Sequence, residues 1–130
     1  MKQGKIIQAY KALDKIMAQD VPLQIAFSVF EMREKLRPSW EFQIGEEEKI
    51  QKKYPNINFD TLSVKWKADD ETDKKLKLAE LSACEKDFEA LSSLDRVLEI
   101  EPIQIPVSEV SIKMAGKDIE ALHGFVEFTK

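Results

Sequence analysis

The chain has one cysteine and one histidine among its 130 residues, four glycines, and no long apolar run. Each shortage removes a class of function. A single cysteine, Cys84, forms no intramolecular disulfide, and with only His123 beside it there are too few soft ligands for zinc. His123 sits among apolar neighbours near the end of the chain. No serine or cysteine lies in a nucleophile motif, so neither Ser–His–acid nor Cys–His catalysis is expected. Gly4, Gly45, Gly116 and Gly124 are scattered, so there is no glycine-rich loop to cradle phosphate. No run of eighteen apolar residues is present and no signal peptide is read, which leads us to expect a cytosolic protein with no membrane partner.

What is present is charge. Charged residues make up 34% of the chain and hydrophobic ones 43%, with a net charge of −4. Such a composition suits a folded chain built largely of exposed helices. The length fits a single domain, 1–130, able to bury one core. The acidic excess lies in the second half: residues 98–130 hold six acids against three bases. Lys2, Lys5, Lys11 and Lys15 form the one basic stretch, and they read as the wet face of a helix. Nucleic acid is therefore not an expected partner, because phosphate binding needs a concentrated basic face.

Apolar spacing predicts a mainly α, α+β fold. Ile6, Ile7, Tyr10, Leu13, Ile16 and Met17 step by threes and fours, giving a helix over 5–19. A long helix is expected over 22–54, with Asp20 as cap and Pro22 in its first turn. Its stripe reads Ala26, Val29, Phe30, Leu36, Trp40, Ile44 and Ile50, interrupted by Arg33 and Glu47. Such a helix would be about 45–50 Å long, which suggests a helical hairpin or coiled-coil-like arm. Pro38 falls in its middle and removes one backbone hydrogen bond. The apolar phase continues from Leu36 to Trp40, so a kink that keeps the same inward face is expected. Trp40 then reads as a core anchor at the bend, or, if exposed, as a recognition hot spot.

Pro55 ends that helix. "TLSVKWK" alternates, predicting a half-buried strand over 61–67. The acids after it suit the start of a helix over 71–94, whose Leu81, Cys84, Phe88 and Leu91 form a seam for the long helix. Cys84 within that seam reads as a small buried hydrophobe. Strands broken by proline are expected over 97–114, as part of a small antiparallel element, and a short helix over 117–127.

Neither acid cluster carries a calcium-loop pattern: Glu46–Glu48 spread around a helix, and Asp69, Asp70, Glu71 and Asp73 are explained by capping. No catalytic, metal or cofactor site is expected. Candidate interface residues are Trp40, Phe42, Phe59 and Trp66, with Phe128, and the acids Glu46, Glu47, Asp69 and Asp70. A long arm and an unpaired strand edge also make a homo-oligomer a candidate state.

The layout of "KIIQAYKALDKIMAQDVPLQIAFSVFEMREKLRP" (5–38) resembles a family of small proteins of tailed phages and prophages of Gram-positive bacteria. The matching positions are Ile6, Leu13, Val21, Pro22, Leu36 and Pro38, with looser likeness at 85–94, 98–105 and 119–128. The resemblance carries no catalytic residues. It implies a phage or prophage protein that works in the bacterial host cytoplasm by binding protein, in structure or assembly. An inhibitor of a host defence nuclease complex, with acids imitating phosphate, is the alternative. A metal-dependent enzyme built on the acid clusters is a third reading.

Overall fold

The structure is a computed structural model that describes residues 1–59, 61, 63–65, 70–108 and 110–129. It is mostly helical, with two small two-stranded sheets and a short helix near the C-terminus. Trp66, Lys67 and Asp69, which belong to the expected strand and acid cluster, lie outside the described residues, as does Leu62.

Helix α1 spans Gln3–Met17 and buries Ile6, Tyr10, Leu13 and Ile16, the stripe read from sequence. It begins two residues earlier than expected because the start of the chain is tied down. Gln3 N–H donates to the Leu94 carbonyl at 2.8 Å, and Arg96 N–H donates to the Met1 carbonyl at 2.7 Å. Lys2 pairs with Asp95 at 2.9 Å. Gly4 lies so close to Ser92 that an added Cβ would meet the Ser92 Cβ at 3.1 Å, so glycine permits this approach.

Helix α2 runs unbroken over Leu23–Lys53 with Pro38 inside it. The Pro22 carbonyl accepts from the Ile25 and Ala26 N–H groups, both at 3.0 Å, to open the helix. Pro38 is exposed, so the Glu34 carbonyl that loses its donor lies on the outer face. The buried stripe is Ile25, Val29, Met32, Leu36, Ser39, Gln43 and Ile50. That corrects the expected one: Phe30 and Ile44 are exposed, and Ser39 and Gln43 take inward positions. The reason is the partner. From Ile25 to Gln43 α2 packs on α1, where Gln3 Nε2 donates to the Ser39 carbonyl at 2.9 Å and to Gln43 Oε1 at 3.2 Å. Burying Gln3 requires polar groups opposite it.

Strands β1 (Ile57–Asn58) and β2 (Ser63–Val64) form a two-residue antiparallel ladder, shorter than the strand expected over 61–67. Helix α3 spans Glu71–Ser92, and Asp70 caps it by accepting from the Asp73 N–H at 3.0 Å. Cys84 and Leu91 of its seam are buried, with Leu81 and Phe88 packed beside them. They pack with the end of α2, at Ile50 and Tyr54, and with Ile57, Phe59 and Val64.

The last third departs most from expectation. Strand β3 covers only Ile103–Pro106, helix α4 is Gly116–Ala121, and β4 is Val126–Thr129. β3 and β4 pair in parallel, Ile103 opposite Val126 through Pro106 opposite Thr129. Among the described residues the strands expected over 97–114 are represented by β3 alone, which pairs in parallel through a strand–helix–strand crossover, the connection that parallel pairing requires, while antiparallel pairing is found in β1–β2. The helix expected over 117–127 stops early because Gly124 takes φ +88°, a left-handed turn that ends helix and starts strand. Leu122, Phe125 and Val126 turn into the main core beside Ile105.

Candidate interaction surfaces

The expected interface residues do not share one surface. Trp40 is half-buried and stacks on Tyr10, ring centroids 4.6 Å apart with planes at 13°. Arg33 lies over the same Tyr10 ring at 5.5 Å and pairs with Asp14 at 2.7 Å, so Trp40 belongs to the α1–α2 contact. Phe42 is exposed under the Arg96 guanidinium, 5.3 Å away. Phe59 packs edge-on against Phe88 at 6.2 Å in the small core. Glu46 pairs with Lys49 at 3.0 Å, and Glu47 accepts from Gln43 Nε2 at 3.0 Å. Asp70 is occupied as the α3 cap. Phe128, half-buried, lines an apolar groove described below.

The surface that sequence reasoning missed is on the first turns of α2. Leu23 is 85% exposed, Phe27 59% and Phe30 43%, and their four- and three-residue steps place them on one face. This face runs into a groove of about 650 Å³ lined by Pro22, Ile25, Pro106 and Val110. The signal was available. Residues 21–30, "VPLQIAFSVF", carry no charge, so Ile25, Val29 and Met32 fill one stripe while Leu23, Phe27 and Phe30 form another. A helix apolar on two sides expects something on both.

A second groove, of about 710 Å³, lies between β3 and α4, lined by Ile105, Val110, Ile112, Met114, Ile119 and Phe128. Among the described residues its lining carries no charged side chain.

One titratable cluster is well ordered. The Tyr54 hydroxyl donates to Asp87 Oδ2 at 2.8 Å, and Lys53 Nζ reaches the same oxygen at 3.1 Å. These two bonds hold the Asp87 carboxyl below the usual carboxylate range, the tyrosine contributing most. The same carboxylate pushes the Lys53 ammonium and the Tyr54 phenol up. Burial pushes the Cys84 thiol up, with Asp87 and Glu85 adding to it, so it stays a protonated core group. The cluster joins the end of α2 to α3, and Asp87 shares a small groove of about 330 Å³ with Phe42, Glu46, Ile50 and Leu91. Among the described residues no group of three or more His, Cys, Asp or Glu is placed to hold a metal ion. Among the same residues no helix is long and apolar enough to cross a membrane.

Compared with protein-family models, curated proteins and solved structures, the chain finds no match in any of the three. The arrangement of surfaces is therefore what speaks to function.

Proposed function

We propose that this chain acts by binding protein and has no catalytic role. The observation that carries the reading is the exposed face of Leu23, Phe27 and Phe30 at the start of α2. Contiguous apolar area of this kind, held on a rigid helix beside a groove, suits a partner's side chains. The division of the core supports the same reading. Ile50, Tyr54, Cys84 and Leu91 form a small core of their own, apart from the one around α1. We read the last turns of α2, beyond Gln43, with α3 as a helical-hairpin arm that carries β1–β2 at its tip and extends from a long helix kinked at Pro38. An arm projecting from a packed base gives a binding protein reach.

The resemblance of residues 5–38 to small phage proteins supports a phage or prophage setting, with assembly factors and structural proteins first in mind. Inhibition of a host nuclease complex by an acidic face is less favoured. Asp14, Glu34, Glu46, Asp73, Asp87, Asp95 and Asp118 each pair with a lysine or arginine, so bases are interspersed among the acids.

The test is capture of partners by the tagged chain from bacterial host lysate and from phage-infected lysate. Wild type is compared with Leu23→Ser/Phe27→Ser, whose unfolding midpoint is checked first. A stoichiometric protein retained by wild type and lost by the variant supports the reading. A partner from uninfected lysate favours the inhibitor role, and one from infected lysate alone favours assembly. Equal retention by both proteins contradicts the assignment of this face.

A further inference from the structure

The β3–β4 pair is a parallel sheet of two strands, an arrangement that normally continues into more strands or is covered on both sides. Its hydrogen bonds show which groups are spent. Ile103 N–H donates to the Phe125 carbonyl at 3.0 Å, and Val107 N–H donates to the Thr129 carbonyl at 2.7 Å. Odd-numbered residues of both strands therefore face each other. The pleat turns the N–H and C=O of Phe128, and the C=O of Val126, to the opposite flank of β4. The Val126 N–H is already bonded to the Leu122 carbonyl at 2.9 Å.

The two outer flanks are treated differently. That of β3 carries Pro106, follows Pro102, and shares a groove with Leu23 and Phe27 of α2. Proline and a covering helix are the usual protections of a sheet edge. The flank of β4, Val126–Thr129, has no proline, glycine or lysine, and among the described residues no further strand pairs with it. A groove of about 830 Å³ runs beside it, lined by Ile119, Glu120, His123, Val126, Glu127 and Phe128. Glu120 and Glu127 are both exposed, and among the described residues no lysine or arginine lines the groove. Glu127 also accepts from Gln104 Nε2 at 2.7 Å, which fixes its carboxylate on one face of the sheet. Phe128 lies on the other face, where it lines the apolar groove with Ile105.

We propose that the outer edge of β4 takes up an extended segment of a partner protein as a third strand. The segment's basic side chains face Glu120 and Glu127, and its alternate, apolar side chains face Ile119 and Phe128. Main-chain bonds to Phe128 and Val126 supply affinity, and the two differently lined faces supply specificity. The charge of the rim selects this occupant over a second copy of the chain. The antiparallel register that pairs Val126 of one copy with Phe128 of the other sets two Glu127 carboxylates directly opposite, which is destabilising. The inference rests on the protein-binding function proposed above and names a surface and a partner chemistry for it.

The experiment selects binders to the full-length chain from a displayed library of random heptapeptides. The strongest is then synthesised, along with versions N-methylated at each backbone amide in turn. Selected sequences are expected to alternate basic with apolar residues. N-methylation at every second amide should weaken binding about tenfold or more, with little change at the amides between. The peptide should protect the Phe128 N–H from hydrogen exchange, and Glu120→Lys/Glu127→Lys should weaken it about tenfold. Absence of any selected binder, a methylation series without alternation, or protection on Leu23–Phe30 in place of Phe128 overturns the proposal. So does a dimer of the pure chain whose Phe128 N–H is protected before peptide is added, which gives the edge to a second copy. Capture of a lysate partner that survives Glu120→Lys/Glu127→Lys but is lost in Leu23→Ser/Phe27→Ser overturns this inference alone and leaves the binding function standing.

Discussion

Gln3 is fully buried between α1 and α2, and its Nε2 bridges the Ser39 carbonyl and Gln43 Oε1. Among the described residues its own Oε1 is buried with no hydrogen-bond partner. Such a bridge fixes how two helices slide along each other more than it stabilises them. Gln3→Ala should cost about 1–3 kcal/mol in urea unfolding, because Gln43 Oε1 loses its donor in a closed site. Gln3→Leu/Gln43→Leu should recover most of that loss, since both polar groups leave together. A double variant as unstable as the single one would contradict this account of the contact. The Tyr54–Asp87–Lys53 cluster makes a prediction in pH. The folded pKa of Asp87 is depressed, so its contribution is present above the unfolded pKa and is lost as pH falls through the folded one. Asp95, lowered by Lys2, acts in the same window. Asp87→Asn should therefore flatten part of the acid limb of a thermal-stability profile below about pH 4, leaving the Asp95 share. At the alkaline end Tyr54 and Lys53 have raised folded pKa values, so their contributions hold below the unfolded pKa and fade as pH rises through the folded one. Asp87→Asn should flatten that limb also.

Among the elements, α2 is the informative case. Its span was legible almost to the residue, because Pro22 and Pro55 bracket it and neither permits helix beyond. Its buried face was not. Periodicity counts apolar side chains, and α2 carries them on two sides, so Phe30 and Ile44 entered the stripe while Met32, Ser39 and Gln43 were left out. Only the partner decides which face goes inward, and that partner's buried Gln3 gives no hydrophobic signal. Pro38→Ala tests the mid-helix proline. It restores a donor for the Glu34 carbonyl on an exposed face, so stability should rise by about 1–3 kcal/mol with the fold unchanged. A loss of helix packing would mean that the packing of α2 depends on the proline. The C-terminal strands were legible only as extended chain. Parallel pairing of β3 with β4 depends on Gly124 ending α4 early and on Val126 and Phe128 returning beside Ile103 and Ile105, contacts that no local pattern encodes. Of the candidate interface residues, Phe59 reads from sequence as exposed and Trp40 as a core anchor or an exposed hot spot; both are half-buried, because Phe88 and Tyr10, neighbours far off in sequence, lie against them.

At the scale of the whole molecule, α2 is about 46 Å long by its 31 residues and spans both cores. Its first half packs on α1 and presents Leu23, Phe27 and Phe30 outward, while its end is held by α3 through Ile50 and Tyr54. A chain arranged in this way offers an exposed apolar face at the start of α2. On the proposed reading, the α2 face of Leu23, Phe27 and Phe30 stands open until a partner covers it. Hydroxyl-radical footprinting of the pure chain and of the captured complex tests this most directly. Phe27 and Phe30 should be oxidised readily in the pure chain and protected in the complex, while Tyr10 and Phe125 stay protected in both. Phenylalanines 27 and 30 that react equally in the two samples would contradict the claim.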